Sequence, residues 1–504
     1  MKSFDVAVIG GGPAGSTIGR LLTEWGYSVF IVCKPPGSGP SLAESLPPSI
    51  RKLFSFLGIL SAIDQAGFYR TSGNTVWWGD AAGRVERFSG PASSWGYQVL
   101  RSDFDRLLLG LAREAGARVC SNGIVRHVDC HTGDLAHFEY GTAGGKKTQV
   151  TAKFILDCSG RAGVIARSQG LRKKGPGYNT LAVASFWQND SGWKLEDETH
   201  TLVETYRDGW AWSVPLSPTM RCFTVMVDSR TTQLNRTSGL RSIYQSEIEK
   251  TKHFKRLLSG STMKTAPWGC DASLYWAQSY ARPQFLLVGD AASVVNPLSS
   301  YGVKKALASA WVGAVVVNTC LRRAEMREAA LEFYSHREHE VYLSYLRQSL
   351  RYFEEAAAVH SHPFWMDRAQ SRVDEDLWVA DEEELKRDPK VLAAFDALKK
   401  SPCIRLRRGE GVSIEKKAAI AGREVVLEQA LIGPGLPSGL RFLGGVDLPT
   451  LVGVGGEHSQ VPDLFEAYNR IGSGVDLPNF LGALSVLLAK GILINQAEPE
   501  NLSG

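Results

Sequence analysis

This chain of 504 residues has no long apolar run. A membrane-spanning helix needs about 20 mainly apolar residues in a row, and the best candidate, residues 306–321, is interrupted by polar side chains. The first residues lead directly into a strand-like pattern, without the regions of a signal peptide. We therefore expect no membrane partner, no secretion and a cytoplasmic location.

A strong excess of charge of one sign is also missing. The formal net charge is +5, and charged residues make up 22% of the chain. This balance does not favour nucleic acid or an anionic membrane as a partner, although it is compatible with a phosphate-bearing ligand.

The sequence lacks the spacings typical of metal sites. His360 and His362 lie close together without a suitably spaced carboxylate or cysteine, so we predict packed or solvated histidines and no metal. The 8 cysteines show no C-x-x-C pair, which favours small buried side chains. They are Cys33, Cys120, Cys130, Cys158, Cys222, Cys270, Cys320 and Cys403.

The chain does contain ample material for a core, since 44% of its residues are hydrophobic, and its length allows two or three domains. Its first segment predicts a β-α-β unit: an apolar strand over 5–9, a helix over 16–25 and a strand over 29–32. The turn between the first strand and the helix would hold a pyrophosphate against backbone amides, because glycines allow close approach. A tight turn that binds nothing is the alternative. The predicted turn residues are Gly10, Gly12, Pro13, Ala14 and Gly15.

The second strand ends without the acidic residue that usually binds the ribose hydroxyls of a dinucleotide. Cys33 and Lys34 occupy this position. Because charge-assisted hydrogen bonds from a carboxylate are missing, we expect the cofactor to be held weakly.

Several later motifs together resemble the flavin-dependent halogenase and monooxygenase superfamily, whose members are similar to group A flavoprotein monooxygenases. The resemblance covers about residues 1 to 345 and implies an α/β (α+β) fold with a Rossmann-like FAD-binding domain, an inserted antiparallel sheet, and FAD and O2 as co-reactants. The motifs are E-S-L-P-P at 44–48, R-S-D-F-D at 101–105, D-C-S-G at 157–160, W-A-W-S-V-P at 210–215 and G-D-A-A at 289–292.

The resemblance also implies which residues meet FAD. Glu44 and Ser45 would border the isoalloxazine ring, and Arg101, at the start of a helix capped by Ser102 or Asp103, would lie against the flavin. An ordinary capped loop and a surface arginine are the alternatives. The remaining implied contacts are Asp157 near the adenosine, Gly289 and Asp290 near the ribityl or pyrophosphate, and Ser300, Gly302 and Val303 at a helix start facing the flavin.

For catalysis, the resemblance implies that Trp210 and Trp212 share a strand face that screens the flavin from the substrate, with Pro297 nearby and Glu44 as a candidate base. Simple packing of a sheet face is the alternative for the tryptophans. In tryptophan halogenases a lysine in the region of residues 69–77 carries the activated halogen, and this segment has none. Tyr301 also enters the turn that binds chloride in halogenases, so both features favour oxygen chemistry.

The implied function is hydroxylation of an electron-rich aromatic ring, with tryptophan in a peptide or protein during quinone-cofactor maturation as the specific hypothesis. The chemistry would run through a flavin C4a-hydroperoxide. The alternatives are a halogenase of a free or carrier-bound aromatic compound and a non-catalytic flavin-binding scaffold. No dedicated NAD(P)H site is visible, so we expect reduced flavin to come from a separate reductase partner, with direct reduction by NAD(P)H as the alternative.

The C-terminal region is predicted to be a small winged-helix-like unit with helices within 415–431, over 463–468 and over 477–490. The last of these is apolar rather than basic, which favours a docking or lid domain over DNA binding. The predicted domains are a discontinuous FAD-binding domain (1–70, 98–175 and 270–345), a substrate-binding sheet domain (71–97 and 176–269), a helical connector (346–400) and the C-terminal domain (401–504).

Overall fold

A computed structural model gives the structure of the protein, and it divides into two compact units, residues 1–372 and 373–504. The residues that it describes are 2–35, 39–79, 83–88, 95–130, 135–142, 144–174, 179–230, 239–370, 388–400, 402–434, 436–472 and 474–496.

The first unit contains strands and helices numbered in chain order. Strands β1 to β22 are Lys2–Ile9, Val29–Val32, Ala43–Leu46, Tyr69–Thr71, Gly73–Trp77, Arg84–Arg87, Gly96–Leu100, Arg118–Cys120, Gly123–Asp129, Ala136–Thr142, Lys147–Asp157, Arg172–Lys174, Thr180–Gln188, Thr201–Tyr206, Gly209–Pro215, Met220–Asp228, Thr262–Met263, Trp268–Asp271, Tyr275–Ala277, Ala281–Arg282, Phe285–Leu287 and Ser293–Val294. Helices α1 to α10 are Pro13–Glu24, Ile50–Phe56, Leu60–Gln65, Arg101–Glu114, Val164–Ser168, Leu240–Lys250, His253–Leu258, Gly302–Arg322, Arg327–Val359 and Pro363–Ala369.

The central sheet of this unit is formed mainly by parallel strands. Its strand order is β20-β21-β11-β1-β2-β8, and β21, β11, β1, β2 and β8 run in the same direction. Residues 6–9 of β1 are buried. This explains why the segment is apolar throughout, since strands of a parallel sheet are covered on both faces. The carboxyl ends of β1, β2, β11 and β21 therefore meet at one edge of the sheet.

A second, largely antiparallel sheet has the order β17-β13-β16-β15-β14-β5-β6, with β14 and β5 as its parallel pair. A further small sheet, β3-β7-β4, holds the segment around Glu44. The mixed α/β class with a Rossmann-like sheet and an inserted antiparallel sheet is thus confirmed. The division of this unit into two separate domains stays a prediction.

The predicted helix starts need correction. Helix α1 begins at Pro13, three residues earlier than predicted, with Gly12 as its N-cap. Helix α4 begins at Arg101 after Leu100, so Ser102 and Asp103 lie inside its first turn and neither side chain caps it.

The second unit packs helices and short strands around an apolar core that includes Leu448, Leu464, Phe480 and Leu484. Strands β23 to β29 are Leu406–Arg408, Ser413–Ala421, Glu424–Gly433, Leu436–Leu440, Phe442–Leu443, Val446–Asp447 and Leu493–Asn495. Helices α11 to α14 are Pro389–Lys400, Leu448–Val454, Val461–Ile471 and Leu477–Ala489.

The predicted helix within 415–431 is wrong. These residues form the hairpin β24–β25, whose strands pair from Ser413 with Ile432 to Ala421 with Glu424. Gly422 adopts a φ of 60° in the turn, a conformation that glycine accepts without strain. Helix α9 runs unbroken past residue 346, where the predicted connector begins, and α11 belongs to the second unit; the connector itself stays a prediction. Part of that connector, residues 371–387, lies outside the described residues.

Within the part of the chain that the structure describes, no helix combines the length and the apolar character needed to cross a membrane.

Candidate functional site

A cleft of about 800 Å³ opens at the carboxyl edge of the parallel sheet. Both glycine-bearing turns contribute to it: the β1–α1 turn from one side, and Asp290 with the start of α8 from the other. This edge is where α/β sheets bind ligands. The predicted site residues along the cleft are Gly10, Gly12, Pro13, Ala14, Cys33, Lys34, Glu44, Arg101, Asp290, Gly302 and Val303.

The glycines of the predicted phosphate-binding turn, Gly10, Gly12 and Gly15, are not all needed for the same reason. A Cβ on Gly10 would lie 2.2 Å from the Cys158 carbonyl oxygen, and a Cβ on Gly15 would lie 2.0 Å from the Gly10 carbonyl oxygen. Packing of β1, β11 and α1 therefore requires glycine at both positions. At Gly12 the nearest atom to such a Cβ, Asp105 Oδ2, is 3.7 Å away, so protein packing does not require glycine there. A ligand lying against the start of α1 would require it, which is how a dinucleotide pyrophosphate binds.

Arg101 joins the walls of the cleft through two ion pairs. Its guanidinium donates to Glu44 Oε1 at 2.6 Å and to Asp105 Oδ1 at 3.0 Å. Burial lowers the pKa of Arg101, but the two carboxylates outweigh burial and raise it above its ordinary value. The result is a fixed cation in the cleft. Asp105 was not predicted, although its spacing of four residues from Arg101 on one helix is a typical signal for a pair.

The end of the cleft beyond β2 is neutral or basic. Cys33 and Lys34 line it together with Arg113. Burial raises the pKa of the Cys33 thiol, so this side chain stays uncharged. The residues present thus fit the diphosphate of FAD, while the ribose hydroxyls find no carboxylate at the end of β2.

We predict that Cys33→Glu tightens FAD binding about tenfold, because one charge-assisted hydrogen bond contributes about 1.5 kcal/mol. Titration of the apoprotein with FAD measures the effect, and Cys33→Gln is the control of the same size without charge. Unchanged or weaker binding of the Glu variant would mean that the adenosine ribose does not lie at the end of β2.

A second cavity, of about 160 Å³, shares Glu44, Asp290 and Gly302 with the cleft. Strands β13, β15 and β16 form its apolar wall. The predicted residues Ser45, Trp212, Pro297 and Ser300 line this cavity rather than the cleft, together with Ala182, Val214, Thr224 and Met226. Ser300 has a φ of 52°, a rare value for a residue other than glycine.

Of the two predicted tryptophans, Trp212 lines the second cavity and Trp210 does not. Their rings meet edge to face with centroids 5.4 Å apart, which agrees with a shared strand face. Trp210 is only 2% exposed and packs in a core with Phe353 and Trp365, so it does not reach the cavity. Trp212 alone of the pair lines it, because α9 and α10 cover its neighbour.

Three of the predicted contact residues, Gly15, Asp157 and Gly289, do not line the cleft, and their contact with FAD stays a prediction. The Asp157 carboxylate is buried and accepts hydrogen bonds from the backbone N–H groups of Ser159 and Ile165 at 3.1 and 2.7 Å. It fixes the turn after β11, and the residues of the D-C-S-G motif that reach the cleft are its neighbours 158–160. Gly289, with a φ of 65°, lies beside Ala14 and supports Asp290.

Tyr301 lines neither of the two cavities. Its ring packs against Tyr345 with centroids 5.3 Å apart. The packing of Tyr301 therefore gives no support to the prediction that this residue fills a halide site.

The two histidines have packing partners. His360 Nε2 lies 3.0 Å from Thr205 Oγ1, and His362 Nδ1 accepts from the backbone N–H of Phe364 at the start of α10. Among the described residues, no group of three or more His, Cys, Asp or Glu side chains is arranged to hold a metal ion.

Comparisons with known proteins show the family and the fold of the chain. Residues 3–349 match the family described as FAD binding domain. The tryptophan 2-halogenase of Chondromyces crocatus is 29% identical over 341 residues, 66% of this chain and 64% of that protein, so the chain spans slightly less than two thirds of this relative.

Two solved structures resemble nearly the whole chain and therefore share its fold. The flavin-dependent halogenase CmlS is 23% identical with a TM-score of 0.80, covering 98% of this chain and 96% of its own. The peptidyl tryptophan dihydroxylase QhpG is 22% identical with a TM-score of 0.69, covering 97% of this chain and 99% of its own. The chain belongs to the FAD binding domain family.

Proposed function

We propose that this protein is an FAD-dependent monooxygenase that hydroxylates an electron-rich aromatic ring. The observation that carries the proposal is the second cavity: it meets the FAD cleft at Glu44, Asp290 and Gly302, and its sheet wall is apolar with one aromatic side chain, Trp212. An aromatic ring in this cavity would lie next to the part of FAD that reacts.

Bound FAD, once reduced, would supply the activation of O2 for oxygen transfer. The chain would supply binding and exclusion of water. Arg101 and the α1 turn at Gly12 would hold the diphosphate, and the apolar side chains of Ala182, Val214 and Met226 would keep bulk water from the ring. Glu44, at the junction of the two cavities, is the candidate acceptor for the proton that the ring loses.

Oxygen chemistry is favoured over lysine-dependent halogenation by what lines the second cavity. Its described lining contains no lysine, and Arg161 is its cationic residue.

A tryptophan side chain in a peptide or protein, modified during quinone-cofactor maturation, is our specific substrate proposal. The support is the likeness to a peptidyl tryptophan dihydroxylase over 97% of this chain, which includes the C-terminal unit. An apolar groove in that unit, lined by Leu392, Phe395, Leu443 and Val486, is compatible with the proposed docking role.

Halogenation is the second candidate. The curated relatives include a tryptophan 2-halogenase and a chlorinase of a pyrrole bound to a carrier protein. The orientation of Tyr301, away from both cavities, leaves the Ser300–Gly302 backbone open to a small anion.

One experiment separates these functions. The FAD-loaded protein would receive reduced flavin from a separate reductase and NADH, with O2, chloride and a tryptophan-containing peptide. We expect product that carries oxygen from labelled O2. A chlorine isotope pattern would establish the halogenase instead, and no product over a panel of free and peptidyl aromatics would favour a scaffold. Reduction of the bound FAD by NAD(P)H without a reductase would overturn the proposed need for a reductase partner.

Trp212→Ala tests the cavity itself. We predict about tenfold less product per reduced flavin consumed, since loss of a ring that contacts the substrate costs about 1.4 kcal/mol. The measurement is the ratio of product to flavin oxidised. Trp210→Phe is the control, because Trp210 does not line the cavity and the smaller ring keeps most of its packing. Equal ratios in both variants would place the substrate elsewhere.

A further inference from the structure

A lysine lies buried directly behind the second glycine-bearing turn. Lys305, in the first turn of α8, is 3% exposed. Its ammonium donates hydrogen bonds to the Gly289 carbonyl oxygen at 3.0 Å and to the Ser293 carbonyl oxygen. No sequence motif singled it out, and it lines neither cavity.

Lys305 belongs to a polar network that fixes residues 287–293 from the side away from the cleft. Ser309 Oγ accepts from the Gly289 N–H at 3.0 Å, and the Tyr334 hydroxyl donates to the Leu287 carbonyl oxygen at 2.8 Å. Val288 and Asp290 of the same turn line the cleft. The network therefore sets the position of a cleft wall.

Burial and two carboxylates act on the charge of Lys305 in opposite directions. Burial is the larger effect and lowers the pKa of Lys305 below its ordinary value, while the carboxylates of Asp290 and Glu338 act in the opposite direction and favour the ammonium form. Burial raises the pKa of Glu338, and Lys305 is the strongest influence that lowers it. Lys305 contacts the turn itself, so its positive charge lies next to the cleft wall. Glu338, on α9, is a more remote partner of this charge.

Packing alone does not explain a cation at this position. Burying an ammonium ion costs several kcal/mol, and apolar residues of similar size often replace buried ion pairs without loss of stability. A positive charge behind the cleft wall would, however, act on any ligand whose negative charge increases. FAD gains negative charge when it is reduced, and low-polarity surroundings extend the reach of a buried charge.

We propose that Lys305 is a positioning residue that holds the 287–293 turn and makes the site bind reduced FAD in preference to oxidised FAD. This inference rests on the FAD site of the proposed function but not on the choice between hydroxylation and halogenation. It would let the protein take up reduced flavin from solution, which suits a cleft that we predict to hold FAD weakly.

The test is the two-electron reduction potential of bound FAD in Lys305→Met, together with separate titrations of oxidised and reduced FAD. We expect the preference for reduced FAD to fall about tenfold, which equals a potential about 30 mV more negative. Lys305→Arg, which keeps the charge, is expected to stay near the wild-type potential. Lys304→Met is the matched control, since Lys304 is the preceding residue on α8 and its ammonium lies over the Tyr301 ring, 5.0 Å from the centroid.

An unchanged potential in Lys305→Met, or an equal shift in Lys304→Met, would overturn the proposal. If Lys305→Met does not fold, Lys305→Gln carries the same expectation, because it keeps a donor for the turn carbonyls without the charge. No substrate is present in these measurements. A negative result in the hydroxylation assay would therefore not change the conclusion about Lys305 and the reduction potential of FAD.

Discussion

Gly12→Ala is expected to lower the affinity for FAD at least about 100-fold. The new methyl group would project into the cleft at the start of α1, where the diphosphate would lie against backbone N–H groups. Losing one or two charge-assisted hydrogen bonds there costs about 3 kcal/mol, which corresponds to that factor. Titration of the apoprotein with FAD, followed by flavin fluorescence, gives the dissociation constant.

The folded apoprotein should tolerate this change. Gly12 has a φ of −79°, which alanine adopts freely, and the nearest atom to the new Cβ is 3.7 Å away. Because Gly12 is an N-cap residue, the free energy of unfolding should fall by no more than about 1 kcal/mol.

Gly15→Ala is the contrasting variant. Its Cβ would lie 2.0 Å from the Gly10 carbonyl oxygen, so α1 would have to move away from β1, and the apoprotein should lose about 3 kcal/mol or more. Thermal unfolding of both apoproteins separates the two effects. Normal FAD binding by Gly12→Ala would show that the diphosphate does not lie at the start of α1.

The sequence predicted the first turn well because its signals are local. Glycines at fixed spacing, an apolar strand before them and a helix after them lie within about thirty residues, and the strand over 29–32 and the end of α1 were placed closely. The different duties of Gly10 and Gly12 could not be predicted. They depend on Cys158 of a strand end that is distant in the chain and adjacent in space.

The errors have the same non-local origin. Trp210 and Trp212 share a strand face as their spacing predicted, but which of them meets a cavity depends on Phe353 and Trp365 from helices that follow much later. Residues 415–431 are rich in alanine, lysine and glutamate, which favour a helix, yet pairing across a two-residue turn at Gly422 makes them a hairpin. Lys305 lies in a stretch that reads as the start of an ordinary helix, and only the position of the turn behind it reveals its contacts.

The remaining large effect is expected at Arg101. Arg101→Met would leave the Glu44 and Asp105 carboxylates without their cation in the cleft wall, 2.6 and 3.0 Å from where its nitrogens were. Two uncompensated negative charges would then face the diphosphate of FAD. We expect FAD affinity to fall at least about 100-fold at low ionic strength, and less at high salt because salt screens charge repulsion.

The repulsion can be tested apart from the loss of contact. Combining Glu44→Gln with Arg101→Met removes one of the two negative charges that Arg101→Met leaves uncompensated. The double variant should therefore bind FAD about tenfold more tightly than Arg101→Met alone. Arg87→Met is the control for loss of one positive charge, since Arg87 pairs with Glu196 at the exposed surface with 67% of its side chain accessible. If the double variant binds no better than Arg101→Met, then Arg101 acts through direct contact with FAD rather than by neutralising the carboxylates around it.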